Sequence, residues 1–279
     1  MLRPLDGIRA VLFDLYGTLL VSGSGEVGTA RQQAAVPGQP QARALDDALA
    51  AMEISTSRPV GPDIEVFFQA IEASHARGRS RGIDYPEVDI VEIWREVLSE
   101  FVRRGLCDAA VCRRVDLQRL AVEYEARANP CWPMPGAKAC LSQLRQGGLI
   151  LGIISNAQFF TAELLAALLG EATEDWGFNG GLQYYSYRHG RAKPGLALFE
   201  LAAEDLRGRG LGPAEVLYVG NDVLNDVCPA HEVGFYTALF AGDARSLRRR
   251  EGEPRVQAVA ADLVVTELEQ LIECITAQD

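Results

Sequence analysis

The chain has 279 residues, 48% of them hydrophobic and 23% charged, which is enough apolar side chain to bury a sizeable core and far from the composition of a disordered chain. Its 27 Lys+Arg against 38 Asp+Glu leave a formal net charge of −11, a field that repels a phosphate backbone and argues against nucleic acid as a partner. No run reaches the roughly 18 uninterrupted apolar residues of a membrane span, so no membrane partner is expected.

In chain order, the N-terminus comes first, and it lacks an apolar signal core because Arg9 and Asp14 interrupt the run from Ile8 to Leu20. The first clear element is Ala10-Val11-Leu12-Phe13, an unbroken apolar run that stops at Asp14 and gives way to Tyr16-Gly17-Thr18. Such a run fits a central parallel strand that presents Asp14 at its C-terminal end. A Gly/Ser/Ala/Gln/Pro-rich stretch, Val21 to Ala42, then reads as a loop or hinge. Helical periods follow at Arg43 to Met52, Ile64 to Arg77, Ile90 to Arg103 and Val111 to Ala128. From there the pattern alternates. Helical stretches at Ala137 to Arg145, Thr161 to Leu169, Leu196 to Leu206 and Val223 to Val233 are interleaved with apolar runs at Leu149 to Ile154, Val216 to Val219, Tyr236 to Phe240 and Leu263 to Val265. No repeat of fixed period is visible. The alternation predicts an α/β fold, a doubly wound parallel sheet formed by residues 1–20 and 132–279, with residues 21–131 inserted as an all-helical cap domain.

Cys107, Cys112, Cys131, Cys140, Cys228 and Cys274 form no C-x-x-C pair and stand at no zinc-finger spacing from a histidine. They read as free thiols in a reducing cytoplasm rather than as a structural metal site. His75, His189 and His231 stand singly and read as structural. Trp94, Trp132 and Trp176 suit core or cap packing, and Arg245, Arg248, Arg249 and Arg250 read as a solvated basic face.

The polar strand ends carry the chemistry, because ligands of doubly wound sheets sit at the carboxyl ends of the strands. Asp14 is placed there as a carboxylate nucleophile able to form a covalent ester, against the plainer role of capping its turn. Ser155 offers a hydroxyl to a transferring phosphoryl oxygen, with Asn156 as a second donor, although Ser155 would also serve as a helix N-cap. Lys193, in Arg191-Ala192-Lys193-Pro194, brings an ammonium to Asp14 and to an anionic substrate. Asp222 and Asp226 stand one helical turn apart and face the same way. Three carboxylates against one ammonium leave about two uncompensated charges. A divalent cation with oxygen ligands, Mg²⁺, resolves that count.

Phe13-Asp14-Leu15-Tyr16-Gly17-Thr18-Leu19 resembles the first motif, D-x-D-G-T or D-x-Y-G-T, of the haloacid dehalogenase-like superfamily. Ser155 after its strand is similar to the second motif, Lys193-Pro194 to the third, and Gly220-Asn221-Asp222-Val223-Leu224-Asn225-Asp226 to the acidic fourth. The resemblance implies a hydrolase with catalytic Asp14, Tyr16, Ser155, Asn156 and Lys193. It implies Mg²⁺ held by Asp14, the backbone carbonyl of Tyr16, Asp222 and Asp226, with Asp222 favoured over Asn221 as direct ligand. A phosphatase acting on a small phosphorylated metabolite through an aspartyl-phosphate is the first expectation. Two departures matter. Tyr16 replaces the Asp that serves the family's phosphatases as general acid and base, and Asn221 stands where many members carry Asp. Tyr16 is shared with the metal-independent 2-haloacid dehalogenases, the alternative reading, yet those have Ser and Asn at the positions of Asn221 and Val223 and Tyr at that of Phe199. A catalytically weak regulatory or binding protein with the same fold is the further alternative.

Overall fold

The protein is described here from a computed structural model that covers residues 4–23 and 40–275. Most of the expected Val21 to Ala42 loop, residues 24–39, lies outside the described residues. The chain divides into two compact units, Met1–Glu26 with Trp132–Asp279, and Val27–Cys131.

The first unit carries eight strands in chain order: β1 (Ala10–Phe13), β2 (Leu20–Ser22), β3 (Cys131–Pro133), β4 (Ile150–Ser155), β5 (Phe178–Tyr185), β6 (Val216–Gly220), β7 (Tyr236–Phe240) and β8 (Leu263–Val265). Six of them form one sheet in the order β5-β4-β1-β6-β7-β8, every neighbouring pair parallel, while β2 and β3 pair separately where the chain leaves and re-enters this unit. All four residues of β1 are buried, as a strand flanked on both edges and covered on both faces requires. Chain connections run outward from β1 through β4 to β5, then cross over and run the other way through β6 to β8. The reversal puts a topological switch point between β1 and β6, the place where such sheets open a crevice beyond their carboxyl ends.

The core behind that crevice is apolar and close-packed. Leu12, Ile154, Leu182, Tyr184, Phe199 and Tyr218 belong to one buried cluster, and the rings of Phe199 and Tyr218 meet edge to face at 4.9 Å. Neither the strand β5 nor the ribbon β2/β3 is foreseen by apolar patterning. In β5 the pair Gly180-Gly181 interrupts the apolar run and hides it.

The second unit is helical: α1 (Pro40–Ala51), α2 (Glu65–Ser80), α3 (Ile90–Arg103), α4 (Ala109–Cys112) and α5 (Leu117–Ala128). Helix α3 starts where the Asp89 side chain accepts the Val91 N–H, and it buries Ile93, Trp94, Val97, Leu98 and Phe101 along one stripe. The Trp94 ring sits 4.9 Å from that of Phe67 and 5.0 Å from that of Tyr124. The single helix expected from Val111 to Ala128 is two helices, because Asp116 turns its side chain back to accept the Arg119 N–H and starts α5 afresh.

The remaining helices of the first unit are α6 (Ala137–Gln146), α7 (Thr161–Leu169), α8 (Ser186–His189), α9 (Ala197–Gly208), α10 (Cys228–Glu232), α11 (Pro254–Gln257) and α12 (Gln270–Cys274). The helix expected over Val223 to Val233 is instead a five-residue π-turn, Val223–Val227, followed by α10. Pro229 has no N–H to continue an α-helical ladder, so the wider turn takes its place. Among the described residues no helix is long and apolar enough to cross a membrane.

In β4 the sheet leaves no room for a side chain at Gly152, where an added Cβ would stand 2.5 Å from Leu12 Cδ2 and 2.7 Å from the Leu182 carbonyl oxygen. Gly152→Ala is expected to destabilise the protein by about 1–3 kcal/mol, the usual cost of overpacking a filled core; urea unfolding monitored by circular dichroism measures it.

Candidate active site

Because β1 lies between β4 and β6, the residues that follow these three strands emerge side by side. The Asp14 N–H still donates to Val219 O, at 2.9 Å, so the backbone of Asp14 continues the ladder while its side chain reaches the strand end. Gly17 then turns the chain at φ +86°, where a Cβ would stand 2.5 Å from Asn221 Nδ2. Only glycine suits that combination of left-handed backbone and close approach.

Lys193 comes from the segment between α8 and α9 and is almost fully buried. Its ammonium lies 2.7 Å from Asp14 Oδ1, 2.5 Å from Asp226 Oδ1 and 3.1 Å from the Tyr218 hydroxyl. Burial opposes the charge, but Asp14 and Asp226 outweigh it and raise the Lys193 pKa above its ordinary value. Burial likewise pushes the Asp226 carboxyl up, against the pull of Lys193. Tyr218, pushed well above a phenol's usual range by burial and by Asp226 and Asp14, remains a phenol. Its oxygen sits 2.8 Å from the Ile154 carbonyl and 3.1 Å from Asp226 Oδ1, a second brace on the same cluster.

Asn156 fixes the Lys193 backbone from both sides. Its Oδ1 accepts the Lys193 N–H at 2.8 Å and its Nδ2 donates to Lys193 O at 3.1 Å. The side chain expected to act as a second donor to substrate thus positions the lysine. Ser155 is fully buried, and its hydroxyl makes a long 3.4 Å contact with Asn156 O. Tyr16 is also buried, and its hydroxyl lies 3.0 Å from Thr161 Oγ1 at the start of α7.

The two acids of the fourth motif do not face the same partner. Asp226 Oδ2 accepts the Asp222 N–H at 2.9 Å while its Oδ1 meets Lys193 and Tyr218, so both of its oxygens are engaged. Asp222 caps the π-turn through Oδ1, which accepts from Leu224 N and Asn225 N at 2.9 and 3.2 Å. Its Oδ2 accepts from Asn225 Nδ2 at 3.0 Å and from Arg250 Nη2 at 2.8 Å. Burial pushes the Asp222 carboxyl up, and the bond to Arg250 opposes the shift. Asn221, for its part, is built into the wall. Its Nδ2 donates to Ser246 O at 2.6 Å and its Oδ1 accepts from Thr18 Oγ1 at 3.2 Å.

Of the four residues expected to hold Mg²⁺, Asp222 and Asp226 thus have every carboxylate oxygen occupied by protein donors. Asp14 alone keeps one, Oδ2, with no hydrogen-bond partner among the described residues. Among those residues no group of three or more His, Cys, Asp or Glu gathers in a metal-holding arrangement. The expected charge count also changes. Arg250 joins Lys193, so three carboxylates face two cations and one net negative charge is left in place of two. As placed here, Asp14, Tyr16, Asp222 and Asp226 do not fit a divalent cation.

Two contributors were missed by sequence reasoning. Tyr218 sits inside an apolar strand and reads as core, its only signal being a phenol in an otherwise aliphatic run. Arg250 was grouped with a solvated basic face, and nothing in the local pattern separates it from Arg248 and Arg249.

The model of the haloacid dehalogenase-like hydrolases matches residues 8–234. The phosphoglycolate phosphatase of Xylella fastidiosa (strain 9a5c) is 27% identical over 239 residues, 85% of this chain and 82% of that protein. Among solved structures, a 2-haloacid dehalogenase from Pseudomonas syringae pv. Tomato DC3000 aligns with a TM-score of 0.61 at 19% identity, covering 96% of this chain and 97% of that one. A HAD phosphatase from Thermococcus onnurineus aligns at 0.56 and 20% identity, covering 97% and 99%. At such identities the structures bear on the fold alone.

Lys193 is the cation that two buried carboxylates share, so removing it leaves both uncompensated. Lys193→Met is expected to cost about 3–5 kcal/mol of stability, and adding Asp226→Asn to it is expected to restore part of that loss. Chemical denaturation of the two single variants and the double variant checks the sign of the coupling.

Proposed function

Because the chain belongs to the haloacid dehalogenase-like hydrolases, we propose that it hydrolyses a small phosphomonoester through a covalent ester on Asp14. The observation that carries this reading is the Lys193 ammonium fixed 2.7 Å from Asp14 Oδ1 at the end of the central strand. It leaves Oδ2 as the oxygen for attack. A carboxylate bonded to a buried cation is held in one orientation, as a nucleophile must be, and the same cation meets the charge of an incoming phosphoryl group. Asp14 forms the bond to phosphorus as the bond to the leaving alkoxide breaks. Water then cleaves the acyl-phosphate and returns the carboxylate. Ser155 is the proposed donor to a phosphoryl oxygen, and Asn156 the residue that holds Lys193 in register. The relative from Xylella fastidiosa, named a phosphoglycolate phosphatase, supports phosphorus as the electrophile. We assign residues 27–131, an insertion between β2 and β3, the role of substrate-selecting cap. The cysteines, all free thiols, support a reducing, cytoplasmic setting.

Mg²⁺ is the cofactor the family's phosphatases imply, but its expected ligands, Asp14, the Tyr16 carbonyl, Asp222 and Asp226, do not fit it as they are placed. Since the donors of Asp222 and Asp226 are already engaged, no step is routed through it. That engagement also favours a second reading, attack of Asp14 on the carbon of a 2-haloacid. There a halide leaves unprotonated and no metal is needed.

Asp14→Asn is expected to abolish turnover and covalent labelling while leaving the chain folded, with a lowered unfolding midpoint because one of the two carboxylates paired with Lys193 is lost. Mass spectrometry of the quenched enzyme with an aryl phosphate, and chloride release from 2-chloropropionate, separate the two electrophiles. Wild-type rates in the Asn variant would sink both readings.

Tyr16 stands where a carboxylic acid would protonate the leaving group, and its hydroxyl is engaged with Thr161. Aryl and acyl phosphates are therefore expected to turn over about 10²–10⁴-fold faster than alkyl phosphates, the usual contribution of a positioned general acid. Equal rates on matched aryl and alkyl substrates would show that another group already supplies the proton.

A further inference from the structure

We infer that Arg250 is the built-in counter-cation of Asp222, taking on that carboxylate the place a divalent cation would take, so that the site balances its charge with protein groups. The inference rests on Asp14 as the nucleophile, because only then do Asp222 and Asp226 belong to the reacting crevice.

Arg250 approaches Asp222 side-on. Nη2 lies 2.8 Å from Oδ2, and Nε lies 3.1 Å from Oδ2 and 3.4 Å from Oδ1. An exposed pair of this kind contributes little to stability, but Asp222 is only 5% exposed, and Arg250 brings a full positive charge to it where its other donors are neutral amides. The chain goes to some length to deliver the guanidinium. After β7 the segment is laid against both motif-bearing turns, with the Arg248 N–H donating to Asn221 O and the Val223 N–H donating to Arg248 O, each at 2.9 Å. Ser246 O receives Asn221 Nδ2 at 2.6 Å, and Ser246 Oγ lies 3.4 Å from Gly17 O. Arg250 itself takes φ +51°, a left-handed backbone uncommon for a residue other than glycine.

The two cations differ in kind from a bound metal. A guanidinium keeps its proton at any pH the fold survives, and it is covalently part of the chain, so neither acid nor a chelator removes it. Arg250 acts through Asp222 and is a positioning residue.

Calorimetric titration of Mg²⁺, repeated with Mn²⁺ and read by electron paramagnetic resonance, tests the inference on the full chain without any substrate. Arg250→Asn removes the cation and suits the left-handed backbone, and Arg250→Gly relieves the backbone altogether should the Asn variant fold poorly. Wild type is expected to show no saturable Mg²⁺ site. Either Arg250 variant is expected to gain one, because a unit positive charge a few ångströms away is lost, and adding Asp222→Asn should abolish the gain. A wild-type site as tight as that of the variants would overturn the inference, as would variants that gain nothing. Failure to hydrolyse any phosphomonoester would count against the proposed function and leave this titration unaffected.

Discussion

Lys193 carries its charge into surroundings where burial alone would strip it, and it stays an ammonium because Asp14 and Asp226 flank it. The arrangement ties together three segments that are remote in the chain, Lys193 lying 179 residues from Asp14. Each of the three is presented by a different loop at the carboxyl edge of the sheet. The rest of the site is bracing for this contact. Asn156 clamps the lysine backbone, Tyr218 rises from β6 to touch both the ammonium and Asp226, and Asp226 in turn holds the Asp222 N–H. A buried ion cluster of this sort contributes little net stability over an apolar replacement but is costly to break at any one member. Its value here is geometric, since it orients one oxygen of Asp14 without consuming the other.

The parallel sheet is legible because its strands are buried on both faces and therefore appear as continuous apolar runs, and the polar residues that end them are conspicuous by contrast. Asp14 and Ser155 stand out for that reason, and Lys193 because lysine is scarce in this chain. What escapes is whatever breaks those regularities for local reasons. Gly180-Gly181 hides β5, Asp116 divides one helical period into α4 and α5, and Pro229 converts an expected helical turn into a π-turn. Asp222 and Asp226 are legible as an acidic pair, whereas the direction in which each points is not. That direction depends on the π-turn and on a segment that returns more than twenty residues later carrying Arg250.

Several groups that the sequence offers as actors on a substrate are employed by the protein itself. The Asn156 amide holds the Lys193 backbone, the Tyr16 hydroxyl holds Thr161, Asn221 is bonded to Thr18 and Ser246, and Asp222 is shared between a helix cap and Arg250. Each of these bonds exchanges freedom to respond to the substrate for rigidity in the groups that remain. Stabilising charge that develops in a transition state works best when the stabilising dipoles and charges need not reorganise, and here they are fixed before any ligand arrives. Little is left to assist the leaving group: the residue two positions beyond the nucleophile has its only titratable proton on a phenol facing Thr161. The chemistry such a site performs well is attack by a preset carboxylate on an electrophile whose leaving group departs unaided, and that constraint comes from how the polar side chains pair with one another rather than from the fold they share with their relatives.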